Sequence, residues 1–124
     1  MNQLNERSVL VVEDEPIANK TLCIILGRKG MKTDSASCIA QALSKIAASP
    51  PDLILLDLML PDGEGTDILA HVRKEKLSSK VIVTTGSTDP ERMKRLDLLR
   101  PDYFIRKPID CLELLNVIDY ICLS

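Results

Sequence analysis

Apolar residues along this chain alternate between short continuous runs and helical stripes. The run "SVLVV" (8–12) ends on the acidic "EDE", the pattern of a strand covered on both faces. Pro16 can open a helix through "IANKTLCIILGRK", which Gly30 stops. "MKTDS" is a short, more polar strand suited to a sheet edge. Ser37 is placed to cap a second helix, in which Ile39, Ala42, Leu43, Ile46 and Ala47 share one face and which "SPP" ends. "LILL" (53–56) is a third, fully buried strand, and "LMLPDGEG" is a turn-rich loop leading to a helix over "TDILAHVRKEK". "KVIVTT" is the fourth strand. Asp89 and Pro90 make a cap and first turn for a helix through "ERMKRLDLL" that Pro101 must end. "YFIR" is the fifth strand, and Asp110 caps the last helix with Glu113 at the capping-box position. Five strand-helix units with short connections predict an α/β fold, a doubly wound parallel sheet with five flanking helices.

Composition narrows this only a little. With 124 residues, 45% hydrophobic and 27% charged, the chain suits one soluble globular domain, expected over 8–124 after a short polar lead, 1–7. A net charge of -2 argues against a nucleic-acid or membrane surface. The basic residues Arg92, Lys94, Arg95, Arg100, Arg106 and Lys107 read mostly as solvated helix surface. "MNQLNERS" lacks the apolar centre of a signal peptide, and no apolar run approaches the ~18 residues of a membrane span, so a cytoplasmic location is expected. Cys23, Cys38, Cys111 and Cys122 have no metal-ligand or Cys-x-x-Cys spacing and read as reduced packing residues.

Ligands of such sheets bind beyond the carboxyl ends of the strands, so the residues there matter most. They are Glu13 and Asp14 after the first strand, Asp57 after the third, Thr84 and Thr85 on the fourth, and Lys107 after the fifth. Two like charges ~4 Å apart cost roughly 4 kcal/mol at an effective dielectric near 20, so the three carboxylates require neutralisation. Mg²⁺ suits them because it takes a few carboxylates together with water and a phosphate. Lys107 adds a positive charge, and a Thr hydroxyl can donate to a phosphoryl oxygen. The set suits phosphoryl transfer to a carboxylate.

The motifs "VVEDE", "LILLDLMLPDGEG", "VIVTTG" and "YFIRKP" resemble the receiver domain of two-component response regulators over roughly residues 8 to 122. The resemblance implies the flavodoxin-like strand order 2-1-3-4-5. It makes Asp57 the phosphoacceptor, with Glu13, Asp14 and the Met59 carbonyl as further Mg²⁺ ligands, Thr85 the switch hydroxyl, Phe104 the switch aromatic and Lys107 the phosphate-binding lysine. Such a domain takes its phosphoryl group from a sensor histidine kinase or a histidine phosphotransfer protein. It assists its own phosphorylation and autodephosphorylation without being a conventional enzyme. Glu13 stands where Asp is common, Phe104 where Tyr is usual, and Arg100-Pro101 replaces a usually small pair, which implies a short or mobile fourth helix.

Alternative readings are a phosphorelay shuttle, a degenerate binding module, and an Asp-nucleophile phosphatase. The phosphatase wants a second acid where this chain has Met59. His71, the only histidine, reads as a surface or half-buried helical residue. No output segment follows Leu123, which leaves two expectations, a free-standing receiver acting by protein contact or a phosphorelay shuttle passing its phosphoryl group to a histidine carrier, in either case without direct nucleic-acid or membrane binding. Its target or second copy would contact the fourth helix, fifth strand and fifth helix. On that last helix Cys111, Leu114, Leu115, Ile118 and Cys122 form one apolar stripe, leaving Leu112, Val117, Tyr120 and Ile121 largely off it.

Overall fold

In the computed structural model, which describes residues 6–87 and 89–123, the three apolar runs become the three central strands. These are β1 (Ser8–Val12), β3 (Leu53–Asp57) and β6 (Lys80–Thr85), with β2 (Lys32–Ala36) and β7 (Tyr103–Arg106) at the edges. All pairings in the order β2-β1-β3-β6-β7 are parallel. This is the expected five-stranded flavodoxin-like order, with two extra short strands lying between the third and fourth. Those two, β4 (Met59–Leu60) and β5 (Gly63–Glu64), form an antiparallel hairpin where the sequence pattern indicated only a loop.

Strand alternation divides the core into two layers. Val9, Val11, Leu53, Leu55 and Ile82 meet helices α1 (Pro16–Arg28) and α5 (Cys111–Leu123). Leu10, Val12, Ile54, Leu56, Val81 and Val83 meet α2 (Ile39–Ala48), α3 (Thr66–Lys74) and α4 (Pro90–Leu99). Both faces being covered is the reason the middles of these strands are apolar, their polar residues lying at the strand ends. Each large aliphatic buried here contributes roughly 1.5–3 kcal/mol, so β3 is a rigid base for whatever follows it. At the edge, β2 exposes Lys32 to Ser35, and Lys45 answers Asp34 and the Ser35 carbonyl.

Helix ends follow the local signals in part. Glu15 accepts from the amides of Ile17 and Ala18 ahead of Pro16, and Asp89 accepts from Glu91. The Asp110 carboxylate accepts from the amides of Leu112 and Glu113. Ser37 does not cap α2: Cys38 holds the cap position, and Asp62 from the hairpin accepts from Ile39 and Ala40. Helix α4 is not shortened by Arg100 and Pro101, because Arg100 adopts φ 51° and Arg73 of α3 donates to the carbonyls of Leu99 and Arg100. On α5 the buried face is Leu114, Val117, Ile118, Ile121 and Cys122. Val117 and Ile121 are thus core, whereas Cys111 is exposed, because the helix is rotated relative to the expected stripe. His71 is half-buried on α3. Among the described residues no helix is long and apolar enough to cross a membrane. Residues 1–5 of the polar lead, Thr88 and Ser124 lie outside the described part; Arg7 already accepts from Lys32 through its carbonyl.

Candidate functional site

Parallel strands end on one side, so β1, β3 and β7 deliver Glu13, Asp14, Asp57 and Lys107 to a common hollow. Lys107 Nζ donates to Asp57 Oδ2 at 2.9 Å and to Glu13 Oε1 at 2.8 Å. Asp57 is only 6% exposed, and its Oδ1 accepts from the Met59 amide at 3.1 Å. Asp14 is exposed. The loop carrying Glu13 and Asp14 is held by Asn19, a buried residue of α1 whose Nδ2 donates to the carbonyl of Glu13 at 2.9 Å and reaches those of Val11 and Ala36.

The hairpin is drawn against the end of β3 at Gly65. A Cβ there would collide with the backbone of Asp57 and Leu58, and the Gly65 amide donates to the Leu58 carbonyl at 2.7 Å. The second glycine of "DGEG" is therefore a close-approach position. Met59 sits opposite Glu64 in the hairpin, its side chain half exposed.

On the other side of Asp57, Thr84 is its register partner, and Thr85 follows, fully buried. The Thr85 hydroxyl accepts from the Ser87 amide at 3.0 Å. Phe104 lies on the α2–α4 side of the sheet, half-buried against that core, with the Arg106 guanidinium 5.8 Å above its ring. Of the residues expected at the site, Glu13, Asp14, Asp57 and Lys107 come together. Thr85 and Phe104 line the neighbouring strands, with Thr85 paired away from Asp57.

Glu13 Oε2 is buried and has no hydrogen-bond partner among the described residues. Glu13, Asp14 and Asp57 each bring a carboxylate oxygen within 4.8 Å of the others. Burial, reinforced by the Asp57 carboxylate and opposed by Lys107, pushes the Glu13 carboxyl up to about 7. Burial pulls the Lys107 ammonium down, but Glu13 and Asp57 outweigh it and its pKa rises above the ordinary amine value. An orphaned buried oxygen among hard oxygen donors fits a divalent cation such as Mg²⁺.

The sequence of the response regulator receiver domain matches residues 9–119. The chain belongs to this family. The receiver domain from Methanospirillum hungatei JF-1 superposes with a TM-score of 0.90 and 28% identity, covering 95% of this chain and 94% of that one. The phosphate regulon transcriptional regulatory protein PhoB of Escherichia coli K12 is 33% identical over 111 residues, 87% of this chain and 48% of PhoB. The transcriptional regulatory protein KdpE of Mycobacterium tuberculosis H37Rv is 40% identical over 108 residues, 86% of this chain and 47% of KdpE. The chain thus spans about half the length of these regulators. Receiver domains interact with histidine kinases and generally bind Mg²⁺ through an acidic pocket; this chain gathers the carboxylates of Glu13, Asp14 and Asp57 at the same end of its sheet.

Two parts of the neighbourhood were not legible in the sequence. Arg92, expected on solvated surface, donates from Nε and Nη2 to both oxygens of Glu64 at 2.8 and 2.7 Å. Asn19 looked like any helical polar residue. Only an acidic residue in a turn loop and a buried position on a helix face could have hinted at either.

Proposed function

We propose that this receiver accepts a phosphoryl group on Asp57 from a phosphohistidine donor, with Mg²⁺, and that the product switches a protein-interaction surface. The observation that carries this is the Asp57 carboxylate at the end of a fully buried strand, touched by Lys107 and facing two further carboxylates. In the transfer, a carboxylate oxygen of Asp57 bonds to phosphorus as the phosphorus–nitrogen bond to the imidazole breaks and its electron pair returns to nitrogen. Glu13, Asp14, Asp57 and the Met59 carbonyl would hold the cation, which supplies charge neutralisation at the phosphoryl oxygens. Lys107 stays paired with the site and offsets charge building on the transferred group.

The Thr85 hydroxyl would leave the Ser87 amide and donate to a phosphoryl oxygen, and Phe104 would settle further into the space below. Phosphorylation shifts an existing balance between two arrangements. The surface that responds is the outer edge of the sheet, where β7 lies between α4 and α5. It exposes Leu98, Tyr103, Leu112 and Tyr120. Basic Lys94 and Arg95 lie on the α4 side and acidic Asp110, Glu113 and Asp119 on the α5 side. One face bearing both signs is self-complementary under a two-fold axis, which favours a second copy of this chain as partner.

Intact-mass measurement after incubation with acetyl phosphate and Mg²⁺ tests the acceptor. Wild type gains one phosphoryl group and Asp57→Asn gains none. A mutant labelled to the wild-type level, or wild-type labelling that survives chelation of Mg²⁺, overturns the reading.

A further inference from the structure

Arg92 occupies the third residue of α4, where a cation opposes the helix dipole. Glu64 of the hairpin answers the misfit with a two-pronged ion pair, the arginine side chain being 16% exposed and that of Glu64 32%. The remaining guanidinium arm, Nη1, donates to Ser87 Oγ at 2.7 Å. From this one group two routes lead to the site. Glu64 is the ladder partner of Met59, whose amide holds Asp57 Oδ1. Ser87 donates its amide to Thr85 Oγ1.

The other end of α4 is tied differently. Arg73 donates to the carbonyls of Leu99 and Arg100 and lies 3.5 Å from Asp102, which itself accepts from the Val81 amide at 2.7 Å. Leu96, 3% exposed, roots the same half of the helix in the core. The C-terminal end is therefore bound to backbone and core strand. The N-terminal end has partly buried Met93 against the core, and its side-chain polar ties run through Arg92 to Glu64 and to Ser87 of the Thr85 loop.

We infer that the Arg92–Glu64 pair is a latch that holds the first turn of α4 and the Thr85–Ser87 loop in the resting arrangement, and that it opens when Asp57 is phosphorylated, letting α4 pivot about its Arg73-bound end. This rests on the reading above in which Thr85 turns toward a phosphoryl group on Asp57. Once Thr85 leaves the Ser87 amide, Ser87 is held only through its hydroxyl, which accepts from the Asp89 amide at 3.2 Å and from Arg92, so one of the three anchors of Arg92 is loosened. Arg92 is a positioning residue: it acts through Glu64 and Ser87 and does not touch Asp57. Without the latch the responsive arrangement is more populated before any phosphoryl group arrives, so a phosphoryl mimic should bind more tightly.

The test uses amide chemical shifts and beryllofluoride titration with Mg²⁺ on wild type, Arg92→Gln, Glu64→Gln, the double variant, and the exchange Arg92→Glu with Glu64→Arg. Each single variant should move the free-protein amides of Thr85, Ser87 and the first turn of α4 toward their positions in the wild-type complex. Each should also bind beryllofluoride about three- to tenfold more tightly. The double variant should match either single one, and the exchange should return the shifts toward resting values, since Glu at position 92 suits the helix dipole. Single variants with wild-type shifts and affinity, or a double variant whose effect is the sum of the two, overturn the latch. A wild type that gives no Asp57-dependent response to beryllofluoride overturns the underlying switch and the latch with it.

Discussion

Glu13 shows how a single residue's setting governs its chemistry. Its carboxyl is pushed up to about 7 from an ordinary 4.5, chiefly by burial and then by Asp57. Between those values the native state binds more protons than the unfolded chain, so stability falls as pH rises through that window. Fully ionised above it, this one group costs on the order of 3 kcal/mol relative to its unfolded setting. Urea midpoints in the absence of divalent metal should therefore drop from about pH 5 to about pH 8, and Glu13→Gln should flatten that slope. Parallel pH profiles for the two proteins would contradict the assignment. Mg²⁺ should flatten the wild-type slope as well, because a cation does for the buried oxygens what the proton does.

At the scale of elements, the β4–β5 hairpin joins the site to the rest of the fold. It packs on the end of β3 through Gly65, caps α2 through Asp62, and holds α4 through Glu64. Gly65 has ordinary helical dihedrals, φ -60° and ψ -21°, so its requirement is space and not conformation. Gly65→Ala should force the hairpin away from β3 and destabilise the domain by about 1–3 kcal/mol. The displacement should appear in the amide shifts of Leu58 and Met59 and as slower labelling of Asp57. Unchanged stability would mean that the strand end yields more easily than its buried neighbours suggest.

For the whole molecule, the proposed function has one end of the sheet receive the signal and its β7 edge present it. Leu112 and Tyr120 are 69% and 74% exposed on the acidic side of that edge, with Tyr103 beside them. They lie away from Asp57 and its partners, so Leu112→Glu and Tyr120→Glu should leave phosphorylation intact. Sedimentation velocity with beryllofluoride and Mg²⁺ should show a dimer for wild type and at least about tenfold weaker association for either variant. Equal self-association in all three would move the output surface elsewhere.

The periodicity of apolar residues was enough to place five parallel strands and five helices in order. Parallel connection then obliged Glu13, Asp14, Asp57 and Lys107 to meet at one side of the sheet. Those inferences succeed because pleat, helical repeat and strand direction are local properties that the chain carries with it. What only the tertiary structure decided involves partners distant in sequence: Asp62 capping α2 from 23 residues away, Glu64 reaching Arg92 across 28, and Gly65 against Asp57. It also decided the rotation of α5, which turned Val117 and Ile121 inward and Cys111 outward. A helix's buried face is set by what it packs against, and a carboxyl's pKa by how much water the fold leaves around it. Neither quantity exists until the layers have closed.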